Sequence, residues 1–165
     1  MDAIEALKTR RSVRAYAAKP VAKEILEDLV DCGRLAPSAM NIQPWDFVVV
    51  TDAEKRADLA DLCEYGGFIA DAPACIAVVG REERFAVTDA ACAATCILLA
   101  ARAHELCSCW VQVQGNPAEK EIGKVLGLPS DRHVICLLAI GHGEVPPPPP
   151  KKALTDVLHW ESYKA

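Results

Sequence analysis

The chain has 165 residues, 52% of them hydrophobic and 25% charged, with a formal net charge of −5. That balance suits one packed domain rather than a disordered chain, and its acidic sign excludes non-specific nucleic-acid binding, which needs an excess of positive charge. The longest uncharged run in a predicted helix, residues 90–101, falls short of the roughly 20 apolar residues of a membrane span, and Met1-Asp2-Ala3-Ile4-Glu5 shows no basic-then-apolar leader, so a cytoplasmic protein with no membrane contact is expected.

Residues 2–11 read as a short helix with Ile4 and Leu7 on one side, and residues 13–20 as extended chain, because Pro20 disfavours helix just before it. Residues 21–36 form an amphipathic helix in which Ile25, Leu26, Leu29, Val30 and Cys32 share a face, and Pro37 stops it. Residues 38–44 are polar, proline-bracketed and irregular. A strand follows over 45–50 (WDFVVV) on its aromatic and β-branched content. Asp52 caps a helix reaching about residue 63, Gly66-Gly67 interrupts the chain, and residues 74–79 (ACIAVV) give a second, buried strand.

Asp89 stands near the start of a helix running to about residue 106, where a negative side chain suits the amide end. The alanines between Ala90 and Ala103 let another backbone come close, at the centre of the domain or at a subunit interface. A third strand is expected over 109–114, a helix over 117–126 and a fourth strand over 133–140 (HVICLLAI). The prolines at 146–150 cannot enter a sheet and make a stiff connector of roughly 15 Å. Only fifteen residues follow them, so 146–165 reads as an arm laid across the body of the protein or across a partner. Helices mixed with four short strands and no internal repeat give an α+β, three-layer reading for a single domain over 1–165.

The eight cysteines include no Cys-x-x-Cys, and with no export signal they read as reduced, buried small hydrophobes rather than disulfides or a metal site. The histidines show no metal spacing, and His133, inside an apolar strand, reads as core rather than catalyst. No Gly-x-Gly-x-x-Gly follows a strand, and there is no Walker loop or Gly-x-Ser-x-Gly elbow. What remains is a basic set, Arg10, Arg11, Ser12 and Arg14, and a polar set, Ser38, Asn41 and Gln43, beside Pro37 and Trp45. Arginines fork onto phosphate and amides suit the edge of a planar heterocycle. Each set alone also fits an ordinary solvated turn; together they could line a cofactor cleft.

Four segments resemble the nitroreductase-like family of FMN-dependent oxidoreductases: Arg10-Arg11-Ser12-Val13-Arg14; residues 36–45 (APSAMNIQPW); residues 89–110, from Asp89-Ala90-Ala91 to Ser108-Cys109-Trp110; and Ala139-Ile140-Gly141-His142-Gly143 with Lys151-Lys152-Ala153-Leu154. The resemblance implies a three-layer fold, a central mixed or antiparallel sheet flanked by helices, in an intimate homodimer with FMN sites shared across the interface. Among the residues it assigns to the cofactor (Arg10, Arg11, Ser12, Arg14, Pro37, Ser38, Asn41, Gln43, Gly115 and Lys151), Arg10 and Ser12 would hold the phosphate and ribityl end. Lys151 would approach the same phosphate, and Arg14 would lie near the ring N1 and O2 atoms. Ser38 and Asn41 would come from the partner subunit, Gln43 would be structural or near the ring, and the 112–116 loop with Gly115 would lie near N5. No acid, base or metal is implied, since the flavin carries the hydride. Glu105-Leu106-Cys107 departs from the family's common Gly-Leu-Gly.

The function implied is transfer of hydride from NADH or NADPH through FMN to a small nitroaromatic, quinone, enone or flavin acceptor. The alternatives are a reductive dehalogenase, a flavin-destroying enzyme, or a flavin-binding or structural dimer without turnover.

Overall fold

The computed structural model describes residues 1–163; residues 164 and 165 of the expected arm lie outside the described residues. Nine longer elements follow in the order α1 (Ala3–Thr9), α2 (Lys23–Arg34), β1 (Trp45–Val50), α3 (Ala53–Asp61), β2 (Ala74–Arg81), α4 (Ala86–Ala103), β3 (Cys107–Gln112), α5 (Glu119–Val125) and β4 (Arg132–Gly141). Single turns of tighter helix lie at Ala39–Asn41, Gly67–Ile69 and Leu154–Asp156.

The four strands form one antiparallel sheet in the order β1-β2-β4-β3. The inner strands β2 and β4 are apolar on both faces because both faces are covered, as a continuous hydrophobic run requires. On one face Ile76, Val78, Leu138 and Ile140 meet α2 and α4 through Leu26, Leu29, Ala94 and Ile97. On the other, Cys75, Ala77, Leu137 and Ala139 meet α3, α5 and the tight turn through Leu59, Ile122 and Ile69. Helix, sheet and helix layers follow directly from that two-sided pattern.

Asp52 caps α3 by accepting from the Lys55 N–H at 2.9 Å, and Asp2 caps α1 in the same way through Glu5. α4 is buried along Ala90, Ala93, Ala94, Ile97 and Ala101. By length and composition it could cross a membrane, contrary to the expectation from its uncharged run; half of it is buried in the chain against the sheet and α2.

α4 closes with the Leu106 N–H donating to the Ala101 carbonyl (2.8 Å) and the Glu105 N–H to the Arg102 carbonyl (3.0 Å). This pair of bonds is the Schellman closure, and it places Glu105 at φ +59°, a conformation glycine takes without strain. His133 differs from its sequence reading: as the second residue of β4 it projects past the covered part of the sheet and is exposed.

Candidate functional site

The amino-terminal set is built where α1 ends. The Arg10 N–H still bonds the Ala6 carbonyl, and the chain then turns extended. Ser12 makes an isolated parallel bridge to Ser108, and the Val13 N–H donates to the Ser108 carbonyl at 3.0 Å. The Tyr16 hydroxyl donates to the Val13 carbonyl at 2.7 Å, while the Ala17 N–H donates to the His142 carbonyl at 2.8 Å. Val13 is buried, so by the two-residue alternation of extended chain Ser12 and Arg14 both project outward. Gly143 allows this close approach: a Cβ there would stand 2.6 Å from the Ala15 carbonyl oxygen.

Arg14 opens onto a cleft of about 500 Å³ lined also by Tyr65, Phe68, Trp110, Gln112 and Asn116. Its guanidinium lies 5.8 Å from the centre of the Phe68 ring, within cation–π range. Among the described residues neither Arg10 nor Arg14 has a carboxylate within ion-pair distance. Arg11 is spent locally, donating to the Lys8 and Arg10 carbonyls, and its buried Nε has no hydrogen-bond partner among the described residues.

The polar set is pinned at the other end of α4. The buried Asp89 carboxylate, in that helix's first turn, accepts from the Ala39 N–H at 3.1 Å. Trp45 packs with Ala36 and Ala93 just beyond. Between these anchors Met40, Asn41 and Gln43 all have positive φ, at 50°, 57° and 53°. Side chains that favour other conformations are held there by the Gln43 N–H to Ser38 Oγ bond (3.0 Å) and the Gln43 Nε2 to Asn41 carbonyl bond (3.2 Å). Backbone strain of this kind, about 1–3 kcal/mol per residue, persists where the surroundings enforce it. Pro37 and Asn41 are exposed and Ser38 is half-buried.

The single chain does not bring the two sets together. The basic set lies by the carboxy-terminal end of α4, where Arg102 Nε donates to Thr9 Oγ1 at 3.0 Å, and the polar set lies by Asp89. The thirteen helical steps from Asp89 to Arg102 span about 20 Å. Lys151 is exposed, in a segment without regular structure, and makes no hydrogen bond or ion pair among the described residues. Gly115 lies in a separate hollow with Arg81, Glu83 and His133, its N–H taken by Glu119 Oε2 at 3.0 Å. From the 112–116 loop it is Gln112 and Asn116 that line the Arg14 cleft.

All eight cysteines are free. Burial pushes the Cys75 thiol up to about 12 and raises Cys136, Cys107 and Cys109 as well, against the lowering pull of Arg102 on Cys107 and of Arg14 on Cys109. Such thiols stay protonated at neutral pH and are poor nucleophiles. Asp89 as anchor of the polar loop, and Glu119 and His133 as neighbours of the other, were not legible as site residues. The Asn116-x-x-Glu119 spacing, that of a helix capping box, was the one available signal for Glu119.

The sequence profile of the nitroreductase family matches residues 7–74 and 63–142. A relative from Methanothermobacter thermautotrophicus, provisionally named NADH dehydrogenase/NAD(P)H nitroreductase, is 33% identical over 171 residues, covering 99% of this chain and 88% of the relative. An FMN-dependent nitroreductase from Clostridium difficile R20291 superposes with a TM-score of 0.91 at 31% identity, covering 97% of this chain and 99% of its own. The NADPH:FMN oxidoreductase of Vibrio harveyi shares the fold, with a TM-score of 0.89 at 24% identity over 99% of this chain and 78% of that one.

Proposed function

This chain belongs to the nitroreductase family, and from that premise we propose that it works as a homodimer, binding FMN and passing reducing equivalents from NADH or NADPH to a small planar acceptor. The observation that carries the reading is the separation of the two polar sets by the length of α4. A two-fold related copy packed antiparallel along α4 sets the polar loop of one chain beside the basic set of the other, making two equivalent sites.

The donor set fits FMN. Arg10 and Ser12 present charged and hydroxyl donors without a competing carboxylate, suited to a phosphate. Lys151 would reach it from the arm. The Arg14 cleft, with aromatic walls and the amides of Gln112 and Asn116, suits a flat heterocycle. Ser38, Asn41 and Gln43 would complete it from the partner, with Pro37 at the entry to that loop.

When bound, FMN supplies the hydride chemistry. The protein's part would be electrostatic and positional: Arg14 would supply a fixed positive charge to the ring, favouring its reduced, anionic form, and Phe68 and Trp110, which line the same cleft, would bound the space for the acceptor. None of the buried thiols is needed.

Purified protein is expected to be yellow, with a flavin spectrum that bleaches anaerobically on addition of NADH or NADPH. Colourless protein that takes up no added FMN would end this reading, and a flavin that neither nucleotide reduces would leave a binder rather than a reductase.

A further inference from the structure

The peptide unit joining Gln114 to Gly115 is held at both ends. Its carbonyl accepts from Gln112 Nε2 at 3.2 Å, and its N–H donates to Glu119 Oε2 at 3.0 Å. Gln112 Oε1 in turn accepts from the Trp110 indole Nε1 at 3.1 Å. At the far end His133 Nδ1 stands 3.5 Å from the other Glu119 oxygen. The donors therefore run in one direction, from the indole in the Arg14 cleft to the carboxylate at the start of α5, and in such a series each bond polarises the next. Gly115, at φ +81°, gives this peptide its orientation without strain.

The same loop is tied down independently of that peptide. The Asn116 N–H bonds the Val113 carbonyl at 2.7 Å, the Glu119 N–H bonds the Asn116 carbonyl at 3.0 Å, and Asn116 Oδ1 accepts from the Ala118 N–H at 2.8 Å. α5 thus has a start that does not need the Glu119 side chain. What that side chain adds is a grip on the one peptide that also anchors Gln112.

We propose that Glu119 is a positioning residue of the Arg14 cleft, fixing the Gln112 amide and the Trp110 indole through the Gln114–Gly115 peptide and so setting how tightly an acceptor is received. The effect on the acceptor rests on the function proposed above; the grip on Trp110 does not.

Two measurements on the full chain separate the two. By NMR without acceptor, Glu119→Ala is expected to move both the Gly115 amide and the Trp110 indole N–H resonances, and Glu119→Gln, whose amide oxygen still accepts from Gly115, to return the indole towards its parent position. With FMN held saturating, so that looser binding of the ring beside Gln112 does not enter, and with NADH or NADPH, Glu119→Ala is expected to raise KM for a nitroaromatic or quinone by about fivefold, the worth of one hydrogen bond, with kcat little changed. Glu119→Gln should recover most of it, and the exposed Glu121→Ala should change nothing. A Trp110 resonance and a KM that stay at parent values while thermal stability falls would reduce Glu119 to a helix cap and overturn the proposal. An indole shift in protein that takes up no FMN would support the grip and end the flavin reading instead.

Discussion

At the scale of single residues, the arginines divide by what surrounds them. Arg11 bonds its own neighbours' carbonyls, whereas among the described residues Arg10 and Arg14 make no ion pair and differ in setting, Arg10 at the helix end and Arg14 over Phe68 in a cleft that Glu64 also lines. Arg10→Ala is therefore expected to weaken FMN binding by about 1.5–3 kcal/mol, the worth of a charge-assisted phosphate contact. Arg14→Ala should instead lower the flavin's reduction potential and leave the affinity for the phosphate end largely intact. Titration of the apo-protein with FMN, followed by potentiometry, tests both; equal affinity loss with no change of potential in Arg14→Ala would remove it from the ring. Glu105 offers a stability test away from the site. Its side chain is exposed and its φ of +59° is one that non-glycine residues take at a cost of roughly 1 kcal/mol. Glu105→Gly, which restores the family's glycine at that place, is expected to raise the melting midpoint by about 2–4 °C in a scan of the two proteins side by side.

At the scale of elements, the segment carrying Arg14 depends on a backbone-to-backbone approach. Gly143→Ala would drive a methyl carbon against the Ala15 carbonyl, an atom that cannot rotate away. The expected result is a loss of about 1–3 kcal/mol, typical of overpacking, with FMN occupancy falling too because residues 12–17 must shift. Chemical denaturation monitored by far-UV circular dichroism, with and without FMN, reads both, and parent values in each would show that the segment takes the extra atom freely.

Much of the element order was legible in the chain. β1 falls on 45–50 as expected, since its aromatic and β-branched run is bounded by Pro44 on one side and the Asp52 cap on the other. Prediction placed β3 at 109–114 and the structure places it at Cys107–Gln112, because the Val113 and Gln114 N–H groups both turn onto the single Ile135 carbonyl and the ladder ends there. α4 begins at Ala86, before Asp89, so its acidic residue sits within the first turn and can reach across to Ala39. That reach joins residues 50 apart in sequence only after folding, and no local periodicity records it. What the sequence pattern does not carry is the distribution of the candidate residues, the basic set at one end of α4 and the polar set at the other.

At the scale of the whole molecule, the described residues leave apolar groups uncovered on several elements, three of which bear on assembly. Ile4 and Leu7 of α1 face solvent, Met40 is 81% exposed in the strained loop, and the carboxy-terminal segment exposes Leu154, Val157 and Trp160, the last at 70%. Scattered apolar residues are normal on a surface, but exposed apolar side chains on α1 and on the strained loop adjoin the two polar sets, where the dimer proposed above would cover them. If Ser38 and Asn41 of one chain close over FMN held by Arg10 and Ser12 of the other, cofactor and dimer must stabilise one another by the same free energy, whichever is added first. FMN present at about a hundred times its dissociation constant then adds roughly 2.7 kcal/mol per site. Sedimentation across a dilution series is expected to show FMN shifting the monomer–dimer midpoint to lower protein concentration, and melting should show an FMN-dependent rise that depends on protein concentration. Asn41→Ala should weaken FMN binding and dimerisation together, although Asn41 lies by the opposite end of α4 from Arg10 in its own chain. A protein that holds a full complement of FMN while sedimenting as a monomer would defeat the shared site, for then one chain must close the cofactor pocket with residues about 20 Å apart along a rigid helix.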